Sequence, residues 1–254
     1  MRIFLLLLLP FFIAQVASAE PLVVEGAGPS SQVVKEFLPF IGGGNAPYNS
    51  IKHKGGLSWS DTHLFGRTGR PCTEEELQGR AEIFLAKVPI AFGVSVELNV
   101  ETIALAQLRH IYEGKIVDWQ AIRDGESIPI NTLGREPSES MYSALKQEYS
   151  FFDTDQNPAL HFSKIRTKDD QVVGSILSGM LVKQGVIGFG ALSNFTNAGI
   201  TVLEVKGMKQ VGVSLGLVYN LKNAKDPLVS LAREKAQSPE WKAKVIELGL
   251  IPIE

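Results

Sequence analysis

Cysteine is almost absent from this sequence of 254 residues, since Cys72 is the only one. A single thiol excludes an internal disulfide and any metal site built from several cysteines, so a packed apolar core must hold the fold together. Neither sign of charge dominates, because 25 basic residues stand against 27 acidic ones. The net charge of −2 gives no global reason to bind nucleic acid or acidic lipid, so an anion site must be local.

The motifs of the common enzyme classes are also missing. The four histidines, His53, His63, His110 and His161, form no His-x-x-x-His or Glu-x-x-His pattern, so we expect no metal and no cofactor. Ser58, Ser60 and Ser143 do not stand in a Gly-x-Ser-x-Gly elbow, and the sequence holds no Walker lysine and no Gly-x-Gly-x-x-Gly loop. An esterase or phosphatase would need a nucleophile next to a base, and no such pair is evident. We therefore do not expect an enzyme.

An apolar run stands at the N-terminus, where Arg2 is followed by residues 3–16 and then by Ala17-Ser18-Ala19. This pattern predicts a secretory signal peptide over residues 1–19, removed from the mature chain. A membrane anchor is the alternative, but a span needs about 20 apolar residues, and this run is shorter and interrupted by Pro10. No cysteine marks a lipid attachment point, so we expect a soluble periplasmic or secreted protein without membrane insertion.

The remaining chain alternates between strand-like and helix-like segments, which predicts the α/β class. Residues 83–92 are almost continuously apolar, as in a strand covered on both faces. Thr73 and Glu76 have the spacing of a capping box at the start of a short helix. We predict further strands at 21–24, 48–53, 128–133, 186–189 and 211–219, and helices at 33–38, 105–112, 138–149, 227–236 and 238–248.

Three predicted junctions between loop and helix could hold an oxyanion. They are Ser30-Ser31, the segment 52–56 and the segment 135–140, and each could present backbone N–H groups at a helix N-terminus. A serine before a helix is more often a simple cap, so only the combination favours a binding site. Arg135 lies between a strand and a helix, where a bidentate anion contact or an interdomain salt bridge is expected. Arg67 and Arg70 fit either a second cationic loop or a solvated one.

Several segments together resemble one family. The run Leu105–Trp119 contains a helix, the turn Tyr112-Glu113-Gly114-Lys115-Ile116 and a tryptophan. It resembles the phosphate-binding protein family of the type II periplasmic binding proteins, the solute receptors of ABC importers. Residues 70–76, 185–189 and 238–252 are similar to other parts of that family, and the resemblance covers nearly the whole mature chain.

The resemblance implies a two-lobed type II fold with two crossover hinge strands and an oxyanion held between the lobes. It places lobe 1 at 20–92 and 191–254, lobe 2 at 93–190, and the hinges near 90–96 and 185–190. The family's Gly-Ser-Gly loop falls on Lys52–Lys54, and its Ser-Asp pair falls on Thr68-Gly69. Transferred by position, the ligand-binding residues are Gly28, Ser30, Ser31, His53, Thr68, Arg135, Ser138, Glu139 and Ser140.

The match departs from the family pattern at two points. Glu139 stands where the family has a glycine, and Gly69 stands where the family has an aspartate that accepts the proton of hydrogen phosphate. Loss of such an acceptor should cost about 1–3 kcal/mol, which leaves the preference for phosphate open. Glu136 and Glu139 are candidates to replace it, whereas His53 with its neighbouring lysines would favour a larger or more charged anion.

The sequence therefore predicts a monomeric exported receptor that captures a small inorganic oxyanion, most simply phosphate or an analogue, and delivers it to an ABC permease. The altered loops also fit a sensory or scaffolding module that keeps the fold and presents its lobes to a sensor kinase or another exported protein. Fold similarity does not choose between these functions.

Overall fold

The computed structural model describes residues 21–48, 51–95, 98–135, 139–153, 166–167, 174, 176 and 185–254. The predicted signal peptide and Ser138 lie outside these residues. Ten strands are described: β1 Glu25–Gly26, β2 Gly66–Thr68, β3 Arg80–Val94, β4 Thr102–Ala104, β5 Ile130–Thr132, β6 Gly134–Arg135, β7 Arg166–Thr167, β8 Gly185–Ala191, β9 Thr201–Lys206 and β10 Gly212–Asn220. The α-helices described are α1 Ser31–Phe37, α2 Lys52–Thr62, α3 Leu105–Tyr112, α4 Ser140–Glu148, α5 Leu192–Asn197, α6 Pro227–Ala236 and α7 Pro239–Glu247.

Most strands join one mixed sheet in the order β1-β2-β10-β3-β8-β5, and β9 pairs with both β3 and β4. The long strand β3 runs through both halves of this sheet. Its residues up to Pro89 pair with β10, and its residues from Ile90 onward pair with β8 and β9. Strands β6 and β7 form a separate parallel pair.

Each half of β3 carries its own apolar core. Around the first half pack Phe37, Leu85, Leu217 and Trp241, all wholly buried. Around the second half pack buried residues that include the aromatic side chains of Phe92, Tyr112, Trp119, Phe152 and Phe189. These two cores make the fold two-lobed and α/β, as predicted.

The lobe boundaries at residues 92 and 191 stay a prediction. β8 ends at Ala191, which pairs with Ile90 where β3 changes its partner. Strand β9, which the predicted boundaries place in lobe 1, pairs with the second half of β3.

Several predicted elements are confirmed because their local signals agree with their packing. The helices at 105–112 and 227–236 have the predicted bounds, and α7 begins at the predicted cap, where Ser238 Oγ accepts from Trp241 N at 3.2 Å. The predicted strands at 83–92 and 186–189 lie inside β3 and β8, and the strand predicted at 211–219 lies inside β10 except for its first residue.

Three local predictions are wrong. The segment 21–24 holds only an isolated bridge from Val23 to Asn45, and β1 begins at Glu25. The strand predicted over 48–53 is wrong at its end, because helix α2 begins at Lys52 and continues through Gly55-Gly56, which was predicted to be a turn. A glycine stands at position 56 of this helix because a Cβ there would approach Arg67 O to 2.3 Å. The glycine thus permits close packing of α2 on β2. The predicted helix after Thr73 is a series of turns over 74–79, although the Thr73–Glu76 capping bonds do form.

No helix in the described ranges is long and apolar enough to cross a bilayer.

Candidate functional site

The first predicted loop lies between β1 and α1. Ser30 occupies the N-cap position of α1 and is wholly buried, and its Oγ donates to Ala27 O at 2.9 Å. Ser31 begins the helix and is 7% exposed. The Ser30 hydroxyl hydrogen is thus engaged by its own loop and would have to rotate to reach a ligand.

A groove of about 680 Å³ runs beside this loop. Its lining includes Gly28, Ser31, Lys35 and Tyr48. It also includes residues that follow β8 and residues near the C-terminus, among them Ser193, Asn197, Leu248 and Leu250. Arg135 and Glu139 are not among the lining residues.

Arg67 holds the first loop in place through hydrogen bonds to backbone carbonyls. Its side chain is wholly buried, and its guanidinium donates to three backbone carbonyls: Nε to Ala27 O at 3.0 Å, Nη2 to Pro47 O at 2.6 Å, and Nη1 to Val24 O. Burial lowers its pKa, and the nearby Glu25 carboxylate opposes that shift. Arg67 is therefore a structural cation. It lies neither in a cationic binding loop nor in a solvated loop, which were the two roles that the sequence left open.

Thr68 follows Arg67 in β2 and is also wholly buried. Its side chain bonds to Glu82 of β3, whose pKa is raised by burial while bonds from Cys72 and Thr68 oppose that shift. Sequence reasoning looked for an acidic acceptor next to Thr68 and at Glu136 and Glu139. It missed Glu82, because only the folded sheet, in which β10 lies between β2 and β3, brings that residue near.

His53 lies near the start of α2, in contact with the turn that follows β2. Its Nε2 is 3.2 Å from Glu76 Oε2 and 3.8 Å from Cys72 Sγ. Glu76 is also bound by Arg70, with Nη1 and Nη2 each at 2.9 Å from one carboxylate oxygen. Arg70 thus pairs with an acid of its own turn, and His53 faces that same acid.

The electrostatics of this cluster follow from those contacts. The Arg70 bonds hold the pKa of Glu76 down to about 2. Burial lowers the pKa of His53, and Arg70 adds to that shift. Burial also raises the pKa of the Cys72 thiol, and Glu82 adds to that effect. At neutral pH the cluster therefore holds a carboxylate, a neutral imidazole and a thiol.

The third predicted junction, the segment 135–140, begins in β6 and ends in α4. Arg135 is 3% exposed, its Nη1 donates to Phe189 O at 3.3 Å, and its Cζ lies 5.7 Å from the centre of the Phe189 ring. Its Nη2 is 3.2 Å from Glu139 Oε1. A buried guanidinium thus stands beside the N-terminus of a nine-residue helix, where donors of two kinds converge.

Glu139 occupies that helix N-terminus with its own side chain. Its Oε2 accepts from Tyr142 N at 2.9 Å, and its Oε1 faces both Arg135 and the Ser140 hydroxyl, the latter at 3.5 Å. The carboxylate therefore fills the N-cap of α4 and partly neutralises Arg135. The sequence also left open an interdomain salt bridge for Arg135. The observed ion pair is not of that kind, because it joins two residues of one loop.

The nine predicted ligand residues thus fall into separate groups. One group combines Arg135, Glu139 and Ser140, another combines Gly28, Ser30 and Ser31, while His53 and Thr68 lie on either side of the turn that follows β2. The bonds described for Ser30 lead to first-lobe atoms and those of Arg135 to second-lobe atoms. Ser138 lies outside the described residues.

Comparison with known proteins decides the fold. The chain is 28% identical over 141 residues to the phosphate-binding protein PstS of Borreliella burgdorferi, which is 54% of this chain and 50% of that protein. It therefore spans about half the length of this curated relative. No protein-family model matches the chain.

Solved structures cover far more of the chain. A protein of Clostridium perfringens assigned as a phosphate ABC transporter substrate-binding protein, with bound phosphate, superposes with a TM-score of 0.63 at 19% identity. That alignment covers 92% of this chain and all of the other. The chain has the fold of the phosphate-binding proteins. A phosphate transport receptor of Vibrio cholerae also superposes, with a TM-score of 0.54 at 14% identity over 91% of this chain and 99% of the other.

The predicted resemblance to the phosphate-binding protein fold is thereby confirmed. At the N-terminus of α4, a carboxylate of the chain itself stands beside Arg135. This carboxylate bears directly on what the loop can bind.

Proposed function

We propose that this chain is an exported solute-binding protein that captures a small oxyanion, phosphate first, between its two lobes and delivers it to an ABC importer. The observation that carries the proposal is Arg135, a buried guanidinium at the N-terminus of α4. Helix N-terminal N–H groups and an arginine together hold an oxyanion without a metal. The shared fold with a protein solved with bound phosphate supports the same ligand class.

In this proposal Arg135 supplies charge, and the hydroxyls of Ser30, Ser31, Ser138 and Ser140 supply hydrogen bonds. The chain carries out no bond chemistry and works outside the cytoplasm as a monomer that meets an ABC permease. The change of partner along β3, between Pro89 and Ile90, offers a position at which the lobes could bend.

Glu139 limits how tightly such a site can bind an anion. Its carboxylate holds the same donors that an oxyanion would need, namely the Arg135 guanidinium and Tyr142 N. A ligand at that position must displace the side chain, which lowers its affinity. The same occupancy favours a second candidate, a sensory module in which the internal ion pair holds the lobe in one state.

Calorimetric titration and thermal melting with phosphate, arsenate, sulfate and molybdate test the proposal, on protein unfolded and refolded to strip any bound ligand. We expect phosphate at a hundredfold excess over Kd to add about 2.7 kcal/mol of stability, a melting shift of several degrees.

Arg135→Ala should abolish that response. Arg109→Ala is the matched control, because Arg109 lies exposed on α3 and pairs only locally with Glu113. Unchanged oxyanion affinity in Arg135→Ala would contradict the site. A flat response of the parent protein to every anion would favour the sensory candidate.

A further inference from the structure

The turn after β2 and the start of α2 bring three metal-ligating side chains together. His53, Cys72 and Glu76 each offer one ligand atom, and these three atoms all lie within 4.8 Å of one another. The sequence predicts no metal site, since these residues are separated along the chain and follow no ligand spacing. Only the packing of α2 against the turn makes them neighbours.

The separations match those of a tetrahedral site. Zinc binds sulfur at about 2.3 Å and imidazole nitrogen or carboxylate oxygen at about 2.0–2.1 Å, so neighbouring ligands stand about 3.6 Å apart for S and N and about 3.3 Å for N and O. Here Cys72 Sγ to His53 Nε2 is 3.8 Å, and His53 Nε2 to Glu76 Oε2 is 3.2 Å. Two edges of the tetrahedron therefore already have the required lengths.

The surroundings also orient the side chains. Arg70 holds both oxygens of Glu76, with Nη1 on Oε2 and Nη2 on Oε1 at 2.9 Å each, and Thr73 N donates to Oε2 at 3.0 Å. An ion bound to Oε2 therefore takes the place of Arg70 Nη1, and the bond from Nη2 to Oε1 remains to position the carboxylate. The backbone N–H of Cys72 donates to Glu82 Oε2 at 2.9 Å, which fixes the turn that carries the thiol. Outer partners of this kind hold ligating carboxylates in place. The side chains of His53 and Glu76 are only 13% and 14% exposed, so the cluster is sheltered but reachable.

We propose that His53, Cys72 and Glu76 bind one divalent transition-metal ion of the zinc type, with water in the fourth position. The donor set decides the class: sulfur and imidazole nitrogen suit zinc, cobalt or nickel, whereas calcium and magnesium prefer oxygen alone. The ion would link α2 to the turn between β2 and β3 and so stabilise the first lobe. The site is separate from Arg135 and α4, so it does not depend on the proposed oxyanion function.

Cobalt titration of chelator-treated protein tests the site, because Cys72 is the only thiol. A thiolate-to-cobalt charge-transfer band can then come from this residue alone. We expect one equivalent of Co²⁺ to bind with that band, and Zn²⁺ to displace it. Cys72→Ser should remove the band, while His53→Gln and Glu76→Gln should each weaken Co²⁺ binding by about 100-fold or more, since loss of a mere outer partner costs 10- to 100-fold.

His110→Gln is the matched control, since that histidine is exposed on α3 and should leave the spectrum and affinity unchanged. Absence of the charge-transfer band overturns the proposal. So does a band whose affinity is the same in His53→Gln and the parent protein, because the cobalt would then bind the thiol without its neighbours. If Cys72→Ser fails to fold by circular dichroism, the His53 and Glu76 variants decide the question.

Discussion

Replacing Glu139 by glutamine should strengthen oxyanion binding. The present carboxylate bonds to Arg135 and caps α4, and it competes with any anion for those donors. Glutamine has nearly the same shape and can still accept from Tyr142 N, so the cap and the fold should persist. It carries no charge, so a ligand no longer has to separate an ion pair.

The size of the effect follows from the burial of that pair. The Arg135 side chain has no exposed surface, and the Glu139 side chain is 17% exposed, so solvent screens the interaction poorly. A hydrogen bond to a charged group is worth about 1.5–3 kcal/mol. At 1.4 kcal/mol for each factor of ten, phosphate should bind about 10- to 100-fold more tightly.

Titration calorimetry with phosphate measures this change directly. Glu148→Gln is the control, because Glu148 lies at the other end of α4 and its carboxylate pairs with the exposed Lys209 at 2.8 Å. That variant should bind as the parent protein does. Unaltered affinity in Glu139→Gln would refute the competition, and weaker binding would show instead that the carboxylate accepts a proton from the ligand.

Three further changes test other contacts. Arg67→Met should lower the free energy of unfolding in urea by about 3 kcal/mol or more, because the buried carbonyls of Val24 and Ala27 and the part-buried carbonyl of Pro47 lose their donor. A loss below about 1 kcal/mol would contradict that role. Gly56→Ala should also destabilise the fold, because overpacking costs about 1–3 kcal/mol and the gain in helix propensity is only about 1 kcal/mol. Ser58 is exposed, so Ser58→Ala should be neutral. Equal melting temperatures of the two variants would refute the close approach of α2 to β2. The free energy of unfolding should fall as pH drops below 6.5, because histidine in the unfolded chain gains a proton that folded His53 resists. It should fall again between about pH 5 and 2, as Glu76 protonates. His53→Gln should remove the loss of stability near pH 6.5 in melting curves, and an unchanged pH profile would argue against a buried neutral imidazole.

Much of the fold could be predicted because local signals and packing agree. Helix α7 has its cap at Ser238 and a buried Trp241, and β3 has the apolar run of a doubly covered strand. Helix α2 was missed since Gly55-Gly56 is typical of a turn, and only the proximity of β2 explains a glycine at position 56.

The candidate site was less accessible to such reasoning. The candidate oxyanion loops were predicted from local patterns, but the partner of each polar side chain depends on the fold. Sequence spacing could not show that Glu139 turns back to Arg135, or that His53 meets Glu76 across 23 residues. Charged side chains choose partners by proximity in space, which a linear pattern does not record.

The sheet order has a consequence for how the chain reaches its fold. β2 and β3 are close in sequence, yet β10 lies between them, so the first-lobe sheet cannot close before residue 220 has been synthesised. Contacts of such long sequence separation form slowly. The N-terminal segments must therefore wait, unfolded, for the last strand. For the exported receptor proposed above, this delay would keep the chain in a threadable state until translocation is complete.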